Sequence, residues 1–332
     1  MLTLGSCLAK DNEVSIFWDQ STEEIKREAK RKLDIDLANI KFAQNIFSAS
    51  YPKTQRLLQS KKYDLIVFLS DGSIPIVLTR LIVHFQFPVE WVKNSFKNRF
   101  KIKRTEKIIC NSKFTKSFID KKFKVESAIL YPPCEIKPQN IKKENIILHV
   151  GRFGKDLEGK NFKKQDVMID AFKKLNPKSW KFILVIGRVE SQLKDVQKLK
   201  VRAKGYNIEI VENPNNDRLW KLYSKSKIYW HASGFGENLS LHPEKSEHFG
   251  ISTVEAMGAG VVPVVIDAGG QPEIVKEGTN GYLWNSIDEL LQKTQSLIDN
   301  EDLLNKISRK AILRSKDFSE NIFCKQVYEI IK

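Results

Sequence analysis

Residues 247–274 read EHFGISTVEAMGAGVVPVVIDAGGQPEI, and this stretch decides the fold class. A glycine-containing loop leads into a helical pattern, which is followed by the apolar run Val261–Ile266 and the turn Gly269-Gly270. A near-continuous apolar strand between helices is typical of a parallel sheet that helices cover on both faces. We therefore expect an α/β domain around this stretch.

The same alternation continues over most of the chain. Apolar runs predict further strands at Glu13–Trp18, Asp64–Leu69, Lys107–Cys110, Ile146–Val150, Phe182–Ile186, Ile208–Val211 and Ile228–His231. Helical patterns such as Asp166–Leu175 and Asp217–Lys225 lie between them. The proline-rich segment 131–138 predicts a linker. We expect two doubly wound parallel-sheet domains facing a cleft, residues 1–135 and 136–315, with a C-terminal helix at 316–332 that could return to the first domain.

The composition is that of a globular protein, with 41% hydrophobic and 29% charged residues among 332. It excludes a disordered or fibrous chain. No apolar run approaches the roughly 18 residues of a membrane-spanning helix, and the first residues have no secretory leader pattern. The four cysteines lie far apart without a CxxC pair. We expect a reduced, cytoplasmic chain with neither a zinc site nor a disulfide framework.

The start of the helix near residue 250 predicts an anion site. Backbone N–H groups and the helix dipole meet at residues 250–253, and Glu247 and Glu255 lie on either side. Carboxylates are poor phosphate ligands but accept hydrogen bonds from sugar hydroxyls, so the pattern fits a nucleotide sugar. Two alternatives stay open: Ser252 and Glu255 also match a capping box, and Glu247 could be a solvated loop acid.

The strand at 146–150 predicts a cation near the same ligand. The strand is followed by Gly151-Arg152, and Lys163 and Lys164 stand at the start of the next helix. A guanidinium at a strand end can clamp phosphate oxygens in a bidentate manner, and a lysine adds a point charge. The alternatives for Arg152 are a solvated side chain and an interdomain salt bridge.

Together these motifs resemble the donor site of the retaining family-4 glycosyltransferases of GT-B fold, in particular their mannosyltransferase-like branch. The resemblance rests on the E-x7-E pair Glu247/Glu255, the run 261–284, GRF at 151–153, KKQDVMIDAF at 163–172 and YWHASGFGE at 229–237. It implies that the protein transfers a sugar from a nucleotide diphosphate sugar to a glycan, lipid-linked or other hydroxyl acceptor. It also implies that this transfer needs no metal or other cofactor.

The resemblance assigns roles to individual residues. Arg152 and Lys163 would neutralise the donor diphosphate, with Lys160 and Lys164 as competitors of Lys163. Glu247 would hold hydroxyls of the donor sugar, Glu255 would bind ribose, and His84, in the segment 81–88, would approach the sugar unless it is a core histidine. Loop backbone would bind the donor at Gly151, Phe249, Gly250, Ile251, Ser252, Gly269 and Gly270. Four residues could suggest a metal site, but the sequence spacings between them match no standard pattern of metal ligands: His231, His242, Glu244 and His248.

The N-terminal end departs from the family pattern. Residues 1–20 resemble the family sequence entered partway along its first helix, so the opening strand and its glycine-rich loop are expected to be missing. A non-catalytic subunit that binds a nucleotide sugar or a carbohydrate is therefore the alternative function.

Positive charge is concentrated in one stretch. The net charge is +16, and residues 93–124 hold 12 basic against 2 acidic side chains. Aromatic residues recur at helical spacing there, so residues 91–104 could form a basic helix peripheral to the inner face of an anionic membrane. The alternative is that Trp91, Phe96 and Phe100 pack into the core. The charge also makes a basic nucleic-acid-binding protein a further alternative function. Nucleic acid is not expected as a partner, however, because no binding motif accompanies the charge and the acidic pair would lie unfavourably against a polyanion.

Overall fold

A computed structural model describes residues 1–93, 95–154 and 161–332 of the chain. The chain forms two compact units: unit 1 comprises Met1–Glu135 with Glu320–Lys332, and unit 2 comprises Ile136–Ser319. The first boundary between them falls inside the proline-rich segment 131–138.

Unit 1 contains two parallel sheets. In chain order its elements are α1 (Leu2–Leu8), β1 (Val14–Phe17), α2 (Thr22–Leu33), β2 (Ile40–Ala43), α3 (Lys53–Ser60), β3 (Leu65–Ser70), β4 (Arg80–Phe85), α4 (Phe96–Lys103), β5 (Lys107–Cys110), α5 (Lys113–Phe123) and β6 (Ala128–Ile129). β1 pairs with β2, and β3 to β6 form a four-stranded sheet in that order. Whether a further strand belongs before β1 stays a prediction.

Unit 2 contains one six-stranded parallel sheet. Its elements are β7 (Ile146–Arg152), α6 (Gln165–Leu175), β8 (Lys181–Gly187), α7 (Leu193–Ala203), β9 (Ile208–Glu212), α8 (Asn216–Lys225), β10 (Ile228–His231), α9 (Ile251–Gly258), β11 (Val262–Ile266), α10 (Gln271–Ile274), β12 (Tyr282–Trp284), α11 (Ile287–Asp299) and α12 (Glu301–Ser315). The strand order β12–β11–β10–β7–β8–β9 is that of a doubly wound sheet. The predicted α/β class is confirmed, and each strand predicted from an apolar run occurs with its ends within two residues.

The core of unit 2 explains why its strands are continuously apolar. Trp230 of β10 packs beside Phe182 of β8 with ring centroids 5.5 Å apart, and its indole N–H donates to Thr294 Oγ1 at 2.9 Å. Side chains alternate along a strand, so Tyr229 and His231 point to the face opposite Trp230. The strand that anchors this core thereby delivers a histidine at its carboxyl end.

The last helix, α13 (Glu320–Ile331), belongs to unit 1, where it packs against α1. Cys7 of α1 and Cys324 of α13 form a disulfide with Cα atoms 5.3 Å apart, so the prediction of a chain without disulfides is wrong. The two cysteines are 317 residues apart, and no local spacing could pair them. The other two, Cys110 and Cys134, are free and buried.

The aromatic side chains of the basic segment 91–104 in unit 1 are exposed. Trp91, Phe96 and Phe100 are 58%, 88% and 50% exposed, so the expectation that they pack into the core is wrong. Val92 does pack against the core, and Ile102 is the buried residue of α4. No helix within the described residues is long and apolar enough to cross a membrane.

Candidate functional site

The candidate site lies where the strand order of unit 2 reverses, between β7 and β10. In open parallel sheets, ligands bind outside the carboxyl ends of the strands at such a reversal. Arg152 ends β7 and His231 ends β10. Helices α6 and α9, which follow the two strands, begin near the same edge, so the chain brings Lys163 and Glu247 there from loops far apart in sequence.

Glu247 is the centre of an ionic group. Its Oε2 accepts from Lys163 Nζ at 2.9 Å and from His231 Nε2 at 3.2 Å. Its side chain is 24% exposed. Burial alone would raise the pKa of Glu247, but Lys163 and His231 together outweigh that effect and hold the pKa well below its ordinary range. Glu247 is therefore an ionised carboxylate with a fixed orientation, and the solvated-acid alternative is wrong.

The protonation state of His231 follows from its partners. The ring is 2% exposed, and burial lowers its pKa despite the nearby carboxylate, so it is neutral at pH 7. The backbone N–H of Ser233 donates to Nδ1 at 3.4 Å. The single ring proton is therefore on Nε2, which donates to Glu247. His231 acts as a neutral hydrogen-bond donor.

The start of α9 has the uncapped backbone N–H groups that an anion site requires. Its N-cap residue is Gly250 at φ +123°, and no described side chain caps the helix. The first amides of a helix lack intrahelical partners, which leaves those of Ile251 and Ser252 for a ligand. A side chain at position 250 would meet Gln271 Nε2 at 2.9 Å, so the close packing there requires glycine.

The capping-box alternative for Ser252 and Glu255 is wrong. Ser252 lies inside α9, and its hydroxyl bonds the Tyr229 hydroxyl at 2.8 Å. Glu255 Oε2 instead accepts from the hydroxyl of Tyr223, also at 2.8 Å. Both side chains are thus directed by buried tyrosines from α8 and β10.

The other donor-loop residues have structural roles of their own. Phe249 is buried and packs edge-on against Phe318, so its backbone is the part that could face a ligand. Gly269 and Gly270 follow β11 and press against the Glu247 loop, where the Gly270 N–H donates to the Glu247 carbonyl at 2.8 Å. A side chain at Gly151 would meet His149 Nε2 at 2.9 Å. Contact of these glycines with a donor stays a prediction.

The cations differ in their environments. Arg152 is exposed and takes part in none of the ion pairs between described residues. Lys163 pairs with Glu247, whereas Lys164 pairs with Glu237 at 2.5 Å, together with Lys245. The competitor Lys160 lies outside the described residues. Of the two described lysines, Lys163 is therefore the one attached to the predicted sugar-binding carboxylate.

His84 is a buried residue near the carboxyl end of β4 in unit 1. It is 5% exposed, and burial lowers its pKa to about 4, so the ring is neutral. Neither ring nitrogen has a hydrogen-bond partner among the described residues. The alternative of a core histidine with satisfied hydrogen bonds is therefore wrong. The approach of His84 to a donor sugar stays a prediction.

Sequence reasoning missed two residues that hold the acidic pair. It set His231 aside as one of four residues that match no metal-ligand spacing, and it gave Tyr223 no role. His231 is in contact with Glu247, and the described residues contain no group of three or more potential metal-ligating side chains. Its position at the carboxyl end of a strand next to β7 was the available signal.

The fold defines unit 2 as a Rossmann-like domain, and the predicted donor-site residues lie at the edge where its strand order reverses. A family model described as glycosyl transferases group 1 matches residues 135–314, and the chain belongs to this family.

Individual relatives and structures agree with this assignment. The chain is 28% identical over 232 residues to a GDP-Man:Man(3)GlcNAc(2)-PP-Dol alpha-1,2-mannosyltransferase of Dictyostelium discoideum, covering 64% of this chain and 43% of the relative. It is 28% identical over 238 residues to an uncharacterized glycosyltransferase of Methanocaldococcus jannaschii, covering 69% and 61%. The chain thus spans less than two thirds of either relative.

Among solved structures, HepE of Anabaena in complex with UDP superposes with a TM-score of 0.71 at 17% identity. The match covers 99% of this chain and 94% of that one. At this identity the likeness shows the fold, which is GT-B.

Proposed function

We propose that the protein is a retaining glycosyltransferase of family 4, which moves a sugar from a nucleotide diphosphate sugar to a hydroxyl acceptor. The observation that carries the proposal is the ionised Glu247, held by Lys163 and His231 beside the uncapped start of α9. A carboxylate next to an anion site suits a ligand with both hydroxyls and phosphates. Family membership and the UDP-bound structural neighbour support the same ligand class.

The chemistry rests on stabilising the departing diphosphate. In this proposal, Arg152, Lys163 and the first amides of α9 stabilise the charge that develops as the sugar–phosphate bond breaks. Fixed donors of this kind need no reorganisation during the reaction. Attack on the same face as the leaving group, assisted by the leaving phosphate, is the mechanism that the family resemblance implies.

A thermal-shift panel of UDP-, GDP- and ADP-sugars tests the donor class, because a ligand that binds only the folded state raises the melting temperature. We expect Glu247→Ala and Arg152→Ala each to abolish transfer while the fold stays intact. Glu244→Ala, in the same loop but paired with the exposed His242, is the matched control. Wild-type transfer by both site variants would refute the proposal. Donor binding by the wild type without turnover would favour the non-catalytic binding subunit.

For the acceptor side we propose a lipid-linked acceptor at an anionic membrane surface. Phe96 and Phe100 project from α4, whose exposed positions also carry Lys97 and Arg99. Burial lowers the pKa of Lys101, and the nearby cations of Lys97, Lys53 and Arg56 lower it further, so positive charges are close together here. Exposed aromatics within a cationic patch have the chemistry of a surface that docks on anionic lipid.

Vesicle sedimentation tests the membrane proposal. We expect more pelleting with phosphatidylserine vesicles than with phosphatidylcholine vesicles, and the difference should shrink with salt. Phe96→Ser with Phe100→Ser should reduce it, whereas Val201→Ser, which removes an exposed apolar side chain from unit 2, should not. Equal pelleting with both lipids would refute electrostatic docking.

A further inference from the structure

Each carboxylate of the acidic pair is held by one buried ring. Glu247 Oε2 accepts from His231 Nε2 at 3.2 Å, and Glu255 Oε2 accepts from the Tyr223 hydroxyl at 2.8 Å. The rings are 2% and 0% exposed, and they come from different elements, the end of β10 and the last part of α8. Two carboxylates that share a short segment of chain are thus oriented independently.

The two carboxylate oxygens of Glu247 differ in their hydrogen bonds. Oε2 receives both Lys163 and His231, while Oε1 receives no hydrogen bond from any described residue. Since His231 is neutral, it orients the carboxylate without cancelling its charge. Oε1 is left to accept from a hydroxyl group, and its direction depends on the His231 bond. Without that bond the carboxylate could rotate about its Lys163 contact.

Glu255 is oriented by a phenol hydroxyl rather than by an imidazole ring. The Tyr223 ring lies entirely inside unit 2, and a buried phenol requires a hydrogen-bond partner. A hydrogen bond to a carboxylate is stronger than one between neutral groups, so the hydroxyl ties Glu255 of α9 to α8. The ring itself is packed against Trp220 with centroids 5.4 Å apart, which fixes the donor in turn.

We propose that His231 and Tyr223 are positioning residues that divide donor recognition between them. His231 orients Glu247 so that the carboxylate can accept hydrogen bonds from the donor sugar. Tyr223 orients Glu255 so that its carboxylate can accept hydrogen bonds from the ribose. This inference rests on the proposed function, since it assigns the two carboxylates to two parts of a nucleotide sugar. It predicts that the two rings affect different measured quantities, although both are buried within the same unit.

The His231 test compares Leu, which has no donor, with Gln, whose amide can still donate. Glycosyl transfer and binding are measured with UDP-glucose, GDP-mannose, UDP and GDP. For the donor that the wild type uses, His231→Leu should lower kcat/KM about 10-fold to 100-fold, the effect of one hydrogen bond to a charged group. The affinity for the free nucleoside diphosphate should be unchanged, and His231→Gln should recover most of the activity.

A pH profile separates positioning from simple packing. Removal of the His231 hydrogen bond takes away one of the interactions that keep Glu247 ionised, so its pKa rises in His231→Leu. The acid limb of kcat/KM should therefore move to higher pH in this variant and return towards wild type in His231→Gln. A packing defect alone would lower the rate without moving the limb.

The Tyr223 test uses Phe, which keeps the ring and removes the hydroxyl. Tyr223→Phe should weaken the nucleoside diphosphate and the nucleotide sugar by the same factor, about 10-fold, with kcat nearly unchanged. Tyr206→Phe is the matched control, since Tyr206 is a partly exposed tyrosine of unit 2 outside the site. Folding of every variant is checked by its melting temperature without ligand.

The outcomes separate the inference from the function beneath it. If the wild type binds none of the four ligands, the proposed donor class fails. If the wild type binds and transfers normally, the inference is overturned by either of two results: both His231→Leu and Tyr223→Phe behave as wild type, or both weaken nucleoside diphosphate and nucleotide sugar alike. If His231→Leu does not fold, the inference is still overturned by a loss of nucleoside diphosphate affinity in His231→Gln or by unchanged nucleoside diphosphate affinity in Tyr223→Phe.

Discussion

Alanine at Gly269 should displace the loop that carries Glu247. A Cβ at this position would lie 2.2 Å from the Glu247 carbonyl oxygen and 2.2 Å from Ser246 Oγ, closer than the 3.0 Å that real Cβ contacts respect. The carbonyl belongs to the backbone and also accepts the Gly270 N–H at 2.8 Å. The clash can therefore be relieved only by moving the loop or by breaking that hydrogen bond.

Gly278 provides a control for the backbone conformation. Gly269 and Gly278 share φ +64°, but a Cβ at Gly278 has no atom within 4 Å. Gly278→Ala should cost about 1–2 kcal/mol, the penalty of a left-handed conformation for alanine. Gly269→Ala bears the same penalty and should lose about 1–3 kcal/mol more from overpacking. A shift of about 1 Å in a positioned group can also cost about 100-fold in rate.

Urea denaturation and donor binding measure the two effects. Both variants should unfold at lower urea than wild type, with Gly269→Ala clearly the lower, and only Gly269→Ala should lose donor affinity and transfer. If the two variants have the same midpoint and the same donor affinity, the packing of Gly269 against the Glu247 loop does not position the carboxylate, and the reasoning fails.

Three further predictions concern charge and cross-linking. Burial lowers the pKa of His149 to about 3 and that of His84 to about 4. The unfolded chain therefore binds more protons below the ordinary value of about 6.5, and the free energy of unfolding should fall by up to about 1.4 kcal/mol per pH unit for each ring as the pH drops from 6.5 towards 4. A flat stability profile between pH 7 and 5 would contradict this. Lys163→Met should weaken donor binding about 10-fold to 100-fold and Lys164→Met should not, as titration calorimetry can show. Cys7→Ser should lose about 2–4 kcal/mol under oxidising conditions, and the loss should vanish when wild type and variant are compared in reductant.

The strands of unit 2 could be predicted closely because helices cover both faces of the sheet. A strand buried on both faces is apolar along its whole length, and Ile228–His231 was predicted with both its ends. Two of the strands missing from the prediction are very short: Ala128–Ile129 and Tyr282–Trp284 have two and three residues. A pattern of alternation cannot be read over so few positions, and their pairing depends on strands elsewhere in the sheet.

The candidate site shows where local patterns fail. The spacing of Ser252 and Glu255 satisfies a capping box, yet both side chains are taken by tyrosine hydroxyls. Tyr229 and Tyr223 stand 23 and 32 residues away in sequence, and a four-residue motif contains no information about them. The disulfide between Cys7 and Cys324 escaped prediction for the same reason. Tertiary partners outcompete a local hydrogen bond when they are buried and already oriented.

The charge arrangement of the site implies a division of work between its two cations. Lys163 forms an ion pair with Glu247, so part of its charge is offset within the protein. Arg152 has no such partner among the described residues, and its planar fork suits two phosphate oxygens. An incoming diphosphate should therefore depend mainly on Arg152 and the first amides of α9. Lys163, shared between carboxylate and phosphate, would link the position of the sugar to that of the leaving group. Loss of Arg152 should then weaken a free nucleoside diphosphate more than loss of Lys163 does, and the reverse order would contradict this division.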